Sequence, residues 1–160
     1  MPGWSTKDSR AARVAVLSAA RQEEVQLATI LAIEDDASFR DLLQLHLQAA
    51  GHTVRTAADP EVGLRSFLED PPELILLDLD LPYLSGFEVL EALRSDKASR
   101  AIPVIVITGR AEGDTYERCR KIGINGFASK PLRREELLRA VDKALAGSAD
   151  KGSAGKGKTR

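Results

Sequence analysis

The stretch Leu74-Ile75-Leu76-Leu77-Asp78-Leu79-Asp80-Leu81-Pro82 decides the fold class of this chain. Its first four residues form a short, unbroken apolar run, which is typical of a strand buried on both faces of a parallel sheet. Asp78 comes where the run stops, and ligands of open α/β sheets bind at the carboxyl ends of strands. We therefore interpret Asp78 as a site residue rather than as a charge within the core.

Three further apolar runs meet polar residues in the same way. They are residues 28–33 with Glu34-Asp35-Asp36, residues 103–107 with Thr108-Gly109, and residues 126–129 with Lys130-Pro131. Because the carboxyl ends of parallel strands share one edge of a sheet, acids, a hydroxyl and an ammonium should converge there. Such a group suits a divalent metal ion and a phosphoryl group, with the Asp78 carboxylate as nucleophile.

Length and composition predict one domain with a proper core. The chain has 160 residues, of which 43% are hydrophobic. No stretch approaches the roughly 20 apolar residues of a membrane span, and the start of the chain does not resemble a signal peptide. Cys119 is the only cysteine, which excludes an internal disulfide and a cysteine-based zinc site. A reducing, cytoplasmic setting without a membrane partner is expected.

The net charge of −1 is unevenly distributed along the chain. Residues 147–160 carry four basic side chains against the single acid Asp150, whereas residues 28–146 are mildly acidic. An acidic domain with a cluster of acids at one edge suits a cation. It argues against nucleic acid as a partner, because such surfaces are normally basic.

The two ends of the chain differ from its centre. Residues 1–27 are predicted to form an N-terminal extension in which Ser9 to Gln26 is a candidate helix. Two interpretations stay open for it: a leader without a docking role, or a helix that packs on the domain or on a partner. Residues 147–160 bury too little apolar surface to fold and are predicted to be a disordered basic tail. The domain itself is then residues 28–146.

Between these ends, strand and helix patterns alternate strictly. This alternation predicts an α/β fold with a five-stranded parallel sheet and five helices on both of its faces. The predicted helices are Ser38–Ala50, one opened by Asp59-Pro60, one from Ser85 or Gly86 to Leu93, Asp114–Ile122, and Arg133–Ala146. The first helix should bury Phe39, Leu42, Leu43 and Leu47. The peptide bond between Lys130 and Pro131 is a candidate for the cis form.

Four motifs in order resemble the receiver domain of two-component response regulators, including the single-domain chemotaxis type. They are Ile33-Glu34-Asp35-Asp36, Leu77 to Pro82 with Ser85-Gly86, Val106-Ile107-Thr108-Gly109, and Phe127-Ala128-Ser129-Lys130-Pro131. The resemblance covers residues 28–146 and implies a flavodoxin-like (βα)5 fold. Each motif alone is weak, but four at family-like spacing, each at a strand end, are highly specific.

The resemblance implies a phosphoacceptor and a metal site. Asp78 resembles the phosphate acceptor, and Glu34 and Asp35 resemble the acidic pair that holds Mg²⁺, with Mn²⁺ as a substitute. Asp80 matches the position whose backbone carbonyl completes the metal site. The first helix is instead expected to be capped by the side chain of Asp36 or of Ser38.

The resemblance also implies a switch. Thr108 and Lys130 match the switch hydroxyl and the lysine that pairs with the phosphate, and Phe127 matches the aromatic switch position. Phe127 lacks the hydroxyl of the more common tyrosine, and a core aromatic is the alternative interpretation. Asp80 and Arg110 are expected to pair near the phosphoryl group.

The implied function is signalling rather than enzymatic turnover. The domain would take a phosphoryl group from a histidine kinase or phosphotransfer protein and switch the surface of its fourth helix, last strand and last helix toward a downstream effector protein. Homodimerisation through the last two helices stays open. One alternative is a haloacid-dehalogenase-type phosphatase, which also uses Asp-x-Asp after a strand but normally has Thr or Val where this chain has Pro82. Another is a receiver-like interaction module that works without phosphorylation.

Overall fold

A computed structural model describes residues 26–153. Its strands are β1 (Thr29–Ile33), β2 (Thr53–Ala57), β3 (Leu74–Leu77), β4 (Val104–Thr108) and β5 (Gly126–Ser129). Its helices are α1 (Ala37–Ala49), α2 (Pro60–Glu69), α3 (Gly86–Ser95), α4 (Thr115–Ile122) and α5 (Arg134–Ser153). The predicted extension, residues 1–27, lies almost wholly outside the described residues, as do residues 154–160 of the predicted tail.

The five strands form one parallel sheet in the order β2-β1-β3-β4-β5. The order reverses between β1 and β3, which is where doubly wound α/β sheets open a crevice for ligands. The predicted fold class is thereby confirmed. Each strand of the inner trio β1, β3 and β4 is buried over nearly its whole length, as the unbroken apolar runs indicate.

Two apolar layers cover the sheet. One face packs against α1 and α5 through buried side chains such as Leu43, Leu47 and Val141. The other packs against α2, α3 and α4 through Phe67, Leu90 and their neighbours. The sheet is therefore fixed from both sides, and its carboxyl edge forms a rigid base for the residues that follow each strand.

Side-chain caps begin three of the helices where the sequence predicts them. The Asp36 carboxylate accepts a hydrogen bond from the Phe39 amide, and the Asp59 carboxylate accepts one from the Val62 amide. Ser85 and Glu88 form a reciprocal capping box at the start of α3. The loops that carry the site thus lead into helices with fixed first turns.

The predicted end of the last helix is wrong. α5 continues to Ser153, so residues 147–153 are helical and not part of a disordered tail. Buried Ala144 and Leu145 anchor the preceding turns on the core, and no proline stops the helix. Gly147 has open space around its Cα and costs a helix only about 1 kcal/mol relative to alanine.

Smaller differences concern α1 and α3. α1 begins and ends one residue earlier than predicted, and α3 continues two residues beyond Leu93. Leu42 was predicted in the apolar face of α1 but is 39% exposed, because the buried stripe of this helix is narrow and centres on Leu43 and Leu47. Among residues 26–153, no helix has the length and apolarity required to traverse a bilayer.

Candidate functional site

Three acids meet at the carboxyl edge of the sheet. The register pairs Ile33 at the end of β1 with Leu77 at the end of β3, so the next residues, Glu34 and Asp78, are neighbours. The Asp78 amide donates to the Ile33 carbonyl at 3.1 Å and fixes this arrangement. One carboxylate oxygen from each of Glu34, Asp35 and Asp78 lies within 4.8 Å of the others. Glu34 and Asp78 are buried, whereas Asp35 is exposed.

Lys130 reaches this acidic group from β5, two strands away from β3. Its Nζ atom lies 2.8 Å from Oε2 of Glu34 and 3.1 Å from Oδ2 of Asp78. The Lys130 amide donates to the Thr108 carbonyl, and the peptide bond to Pro131 is cis, as expected. A single ammonium thus bridges the two buried carboxylates.

Burial and charge shift two pKa values in the group. Burial raises the pKa of Glu34 to about 7, and the charge of Asp78 adds to the rise while the hydrogen bond from Lys130 opposes it. Burial by itself lowers the pKa of Lys130, but the hydrogen bond to Glu34 and the charge of Asp78 outweigh it and raise that pKa. The lysine is therefore charged in the cluster.

A second network lies beside the first. The buried Thr108 hydroxyl donates to Oδ2 of Asp80 at 3.4 Å and accepts from the Arg110 amide at 3.0 Å. Nε of Arg110 lies 3.1 Å from Oδ1 of Asp80, which confirms the predicted pairing of these two side chains. The Asp80 amide donates to Oδ1 of Asp78 at 3.0 Å and so joins the networks.

Phe127 lies on β5 and is half-buried. Its ring meets that of Tyr116 on α4 edge-to-face, with centroids 5.3 Å apart and planes at 78°. This contact connects β5 to the first turn of α4. The switch role of Phe127 stays a prediction.

Three residues contribute to the site in ways that the sequence motifs did not predict. Arg40 donates through Nη1 to the backbone carbonyl oxygens of Glu34 and Asp35. The ring of Phe39 lies beneath the Lys130 ammonium. Gly86, although part of a quoted motif, packs directly on the backbone of the loop after β3. Arg40 and Phe39 fall in the first turn after the acids, which is the only sequence signal for them.

The donor set suits a hard cation and phosphoryl chemistry. Carboxylate oxygens are the ligands that Mg²⁺ prefers, and three of them come together here with one exposed to solvent. A carboxylate beside an ammonium also suits acceptance of a phosphoryl group, since the ammonium offsets the incoming charge.

Together, the fold and the site define a doubly wound α/β protein with an acidic, lysine-containing centre at the topological switch point. A family model described as "Response regulator receiver domain" matches residues 30–142. The chain belongs to this family, which confirms the resemblance and with it a function in two-component signal transduction.

Individual relatives agree with this assignment. The DNA-binding dual master transcriptional regulator RpaA of Synechocystis is 35% identical over 112 residues, which are 70% of this chain and 46% of RpaA. Protein PilH of Pseudomonas aeruginosa is 29% identical over 121 residues, 76% of this chain and all of PilH. The chain spans about half the length of the transcriptional regulators that it matches.

Solved structures show the same fold. The chemotaxis response regulator CheY4 of Vibrio cholerae superimposes with a TM-score of 0.70 at 28% identity, covering 74% of this chain and 99% of CheY4. The alternative of a haloacid-dehalogenase-type phosphatase finds no support in these comparisons, nor does that of a receiver-like module working without phosphorylation.

Proposed function

We propose that this domain accepts a phosphoryl group on Asp78 from a phosphohistidine of a histidine kinase or phosphotransfer protein. The observation that carries the proposal is the placement of the buried Asp78 carboxylate between two other acids and the Lys130 ammonium. An oxygen of Asp78 forms the new bond to phosphorus as the phosphorus–nitrogen bond of the donor breaks. The electron pair of the broken bond returns to the imidazole nitrogen.

The metal site in this proposal consists of Glu34, Asp35, Asp78 and the backbone carbonyl of Asp80. Mg²⁺ bound there supplies positive charge against the charge on the phosphoryl oxygens, and Mn²⁺ can replace it. Lys130 supplies the second positive centre. Its position between Glu34 and Asp78 supports this role, because the ammonium is already in place before any phosphoryl group arrives.

Phosphorylation then switches the surface formed by α4, β5 and α5. The Thr108 hydroxyl, which donates to Asp80 in the unphosphorylated domain, is drawn to the phosphoryl oxygens, and the loop through Arg110 follows. Phe127 responds through its contact with Tyr116 on α4. A downstream effector protein that binds one surface better than the other detects the change.

The domain is in this proposal a signalling protein and not an enzyme that turns over a separate substrate. It promotes only its own phosphorylation and dephosphorylation. RpaA is by name a DNA-binding regulator, but residues 28–146 of this chain carry more acidic than basic side chains. We therefore assign the effector role to a protein partner and not to nucleic acid contacted by this domain.

Intact-mass measurement tests the proposal. The protein is incubated with Mg²⁺ and phosphoramidate, alongside Asp78→Asn and the control Asp41→Asn, which alters an exposed acid of α1 outside the group. We expect one phosphoryl group on the wild-type protein and on the control, lost in alkali, and none on Asp78→Asn. Undiminished uptake by Asp78→Asn, or no uptake by a folded wild-type protein, would overturn the assignment.

A further inference from the structure

The Lys130 ammonium is enclosed on a third side by an aromatic ring. An ammonium has three N–H donors, and the carboxylates of Glu34 and Asp78 account for two directions. The centroid of the Phe39 ring lies 4.5 Å from Nζ, within the roughly 6 Å over which a cation is attracted to an aromatic face. With these neighbours the Lys130 side chain is only 23% exposed.

The helix turn that carries the ring is fixed by hydrogen bonds, and the ring itself packs on the core. The Phe39 amide donates to Oδ1 of Asp36 at 2.7 Å, and the Asp36 amide donates to Oε1 of Glu34 at 3.0 Å. The Phe39 side chain packs against the apolar layer that contains Leu43. The first turn of α1 is thus tied to the same acid that Lys130 contacts, which fixes the ring relative to the ammonium.

From this geometry we infer that Phe39 is a positioning residue, whose ring face holds the Lys130 ammonium against Asp78. The inference rests on the proposed function, in which Lys130 pairs with the phosphoryl group. Without the ring, the flexible lysine stem can swing toward solvent, and fewer molecules have the ammonium in place when a phosphoryl donor arrives.

A graded series of variants separates ring electrostatics from packing. Phe39→Leu removes the ring, Phe39→Tyr keeps it, and a trifluorinated phenylalanine at position 39 keeps the shape but weakens the negative ring face. Phe87→Leu is the matched control, because the Phe87 ring on α3 also faces a cation, with the Arg118 guanidinium 3.9 Å from its centroid. Phe87 packs in the apolar layer on the other face of the sheet from Phe39. Urea unfolding shows first that each variant is folded.

The first measurement is NMR of the unphosphorylated protein. The ring current of Phe39 should shift the ε-methylene protons of Lys130 upfield. We expect this shift to vanish in Phe39→Leu and to persist in Phe39→Tyr and Phe87→Leu. An unshifted Lys130 in the wild-type protein would overturn the inference, and this readout does not depend on phosphorylation.

The second measurement is the rate constant for uptake from phosphoramidate at saturating donor. We expect a fall of about three- to tenfold in Phe39→Leu, a smaller fall with the fluorinated ring, and less than a twofold change in Phe39→Tyr and Phe87→Leu. If the fluorinated variant takes up the phosphoryl group at the wild-type rate, Phe39 acts through packing alone and the inference is overturned. If the wild-type protein shows the ring-current shift but takes up no phosphoryl group, the proposed function fails while the contact between Phe39 and Lys130 stands.

Discussion

Gly86 packs directly against the backbone of Asp78. A Cβ atom at position 86 would lie 2.5 Å from the Asp78 carbonyl oxygen and would also clash with Cα of Leu79. The Gly86 amide also donates to the Leu79 carbonyl at 3.1 Å. The first residue of α3 therefore sets how closely this helix approaches the loop that carries the proposed acceptor.

Gly86→Ala should destabilise the fold and disturb the acceptor loop. Backbone atoms cannot move aside as a flexible side chain would, so we expect a loss of about 1–3 kcal/mol in the free energy of unfolding, measured in urea. Gly109→Ala is the matched control, because nothing lies within 4 Å of an added Cβ there, and its change should stay within about 0.5 kcal/mol. Equal stability of the two variants would contradict the close contact.

Glu34→Gln should change how stability depends on pH in Mg²⁺-free buffer. The pKa of Glu34 in the folded protein is raised from 4.5 to about 7, mainly by burial, so the folded state binds this proton more tightly than the unfolded chain. The stability that this proton contributes is fully present below the pKa of Glu34 in the unfolded chain. It is lost as the pH rises through the pKa of Glu34 in the folded protein. Wild type should therefore lose stability relative to Glu34→Gln between these two pH values. Parallel curves of unfolding free energy against pH would refute the raised pKa.

Mg²⁺ should stabilise the domain through the acidic group. A ligand that binds only the folded state at ten times its dissociation constant adds about 1.4 kcal/mol, which a thermal melt detects as a higher Tm. Asp35→Asn removes one oxygen donor of the group and should need about tenfold more Mg²⁺ for the same rise. Asp41→Asn should respond as wild type does. A normal response of Asp35→Asn would exclude Asp35 as a ligand.

Thr108→Ala should separate phosphorylation from switching. The variant keeps Asp78 and Lys130, so uptake of the phosphoryl group should persist. It lacks the hydroxyl that would move toward the phosphoryl oxygens. We expect the NMR shift changes of the Phe127 and Tyr116 rings on phosphorylation to fall by roughly half or more. Thr108→Ser, which keeps the hydroxyl, should retain them. Full shift changes in Thr108→Ala would show that the signal reaches α4 by another route.

Periodicity and strand ends predict most of this architecture and the residues of its acidic centre. An apolar run followed by a polar residue fixes both the strand and the edge at which Asp78, Thr108 and Lys130 emerge. The sequence does not show why residue 86 has to be glycine, because the reason is the close approach of the backbone of Asp78 and Leu79 in the folded protein. The same holds for Phe39, whose ring serves the core and the ammonium at once. The sequence predicts too short an α5 because residues 147–160 offer little apolar surface to bury, whereas the helix continues to Ser153.

The position of β5 at the edge of the sheet has a consequence for biosynthesis. Within residues 26–153, β5 pairs only with β4. Lys130 directly follows β5 and is added to the growing chain 52 residues after Asp78. A nascent chain that stops before residue 126 holds Glu34 and Asp78 but not the ammonium that bridges them. Such a fragment has every acid of the centre without Lys130, so the chain gains the charge partner of Asp78 only after the last strand has been synthesised.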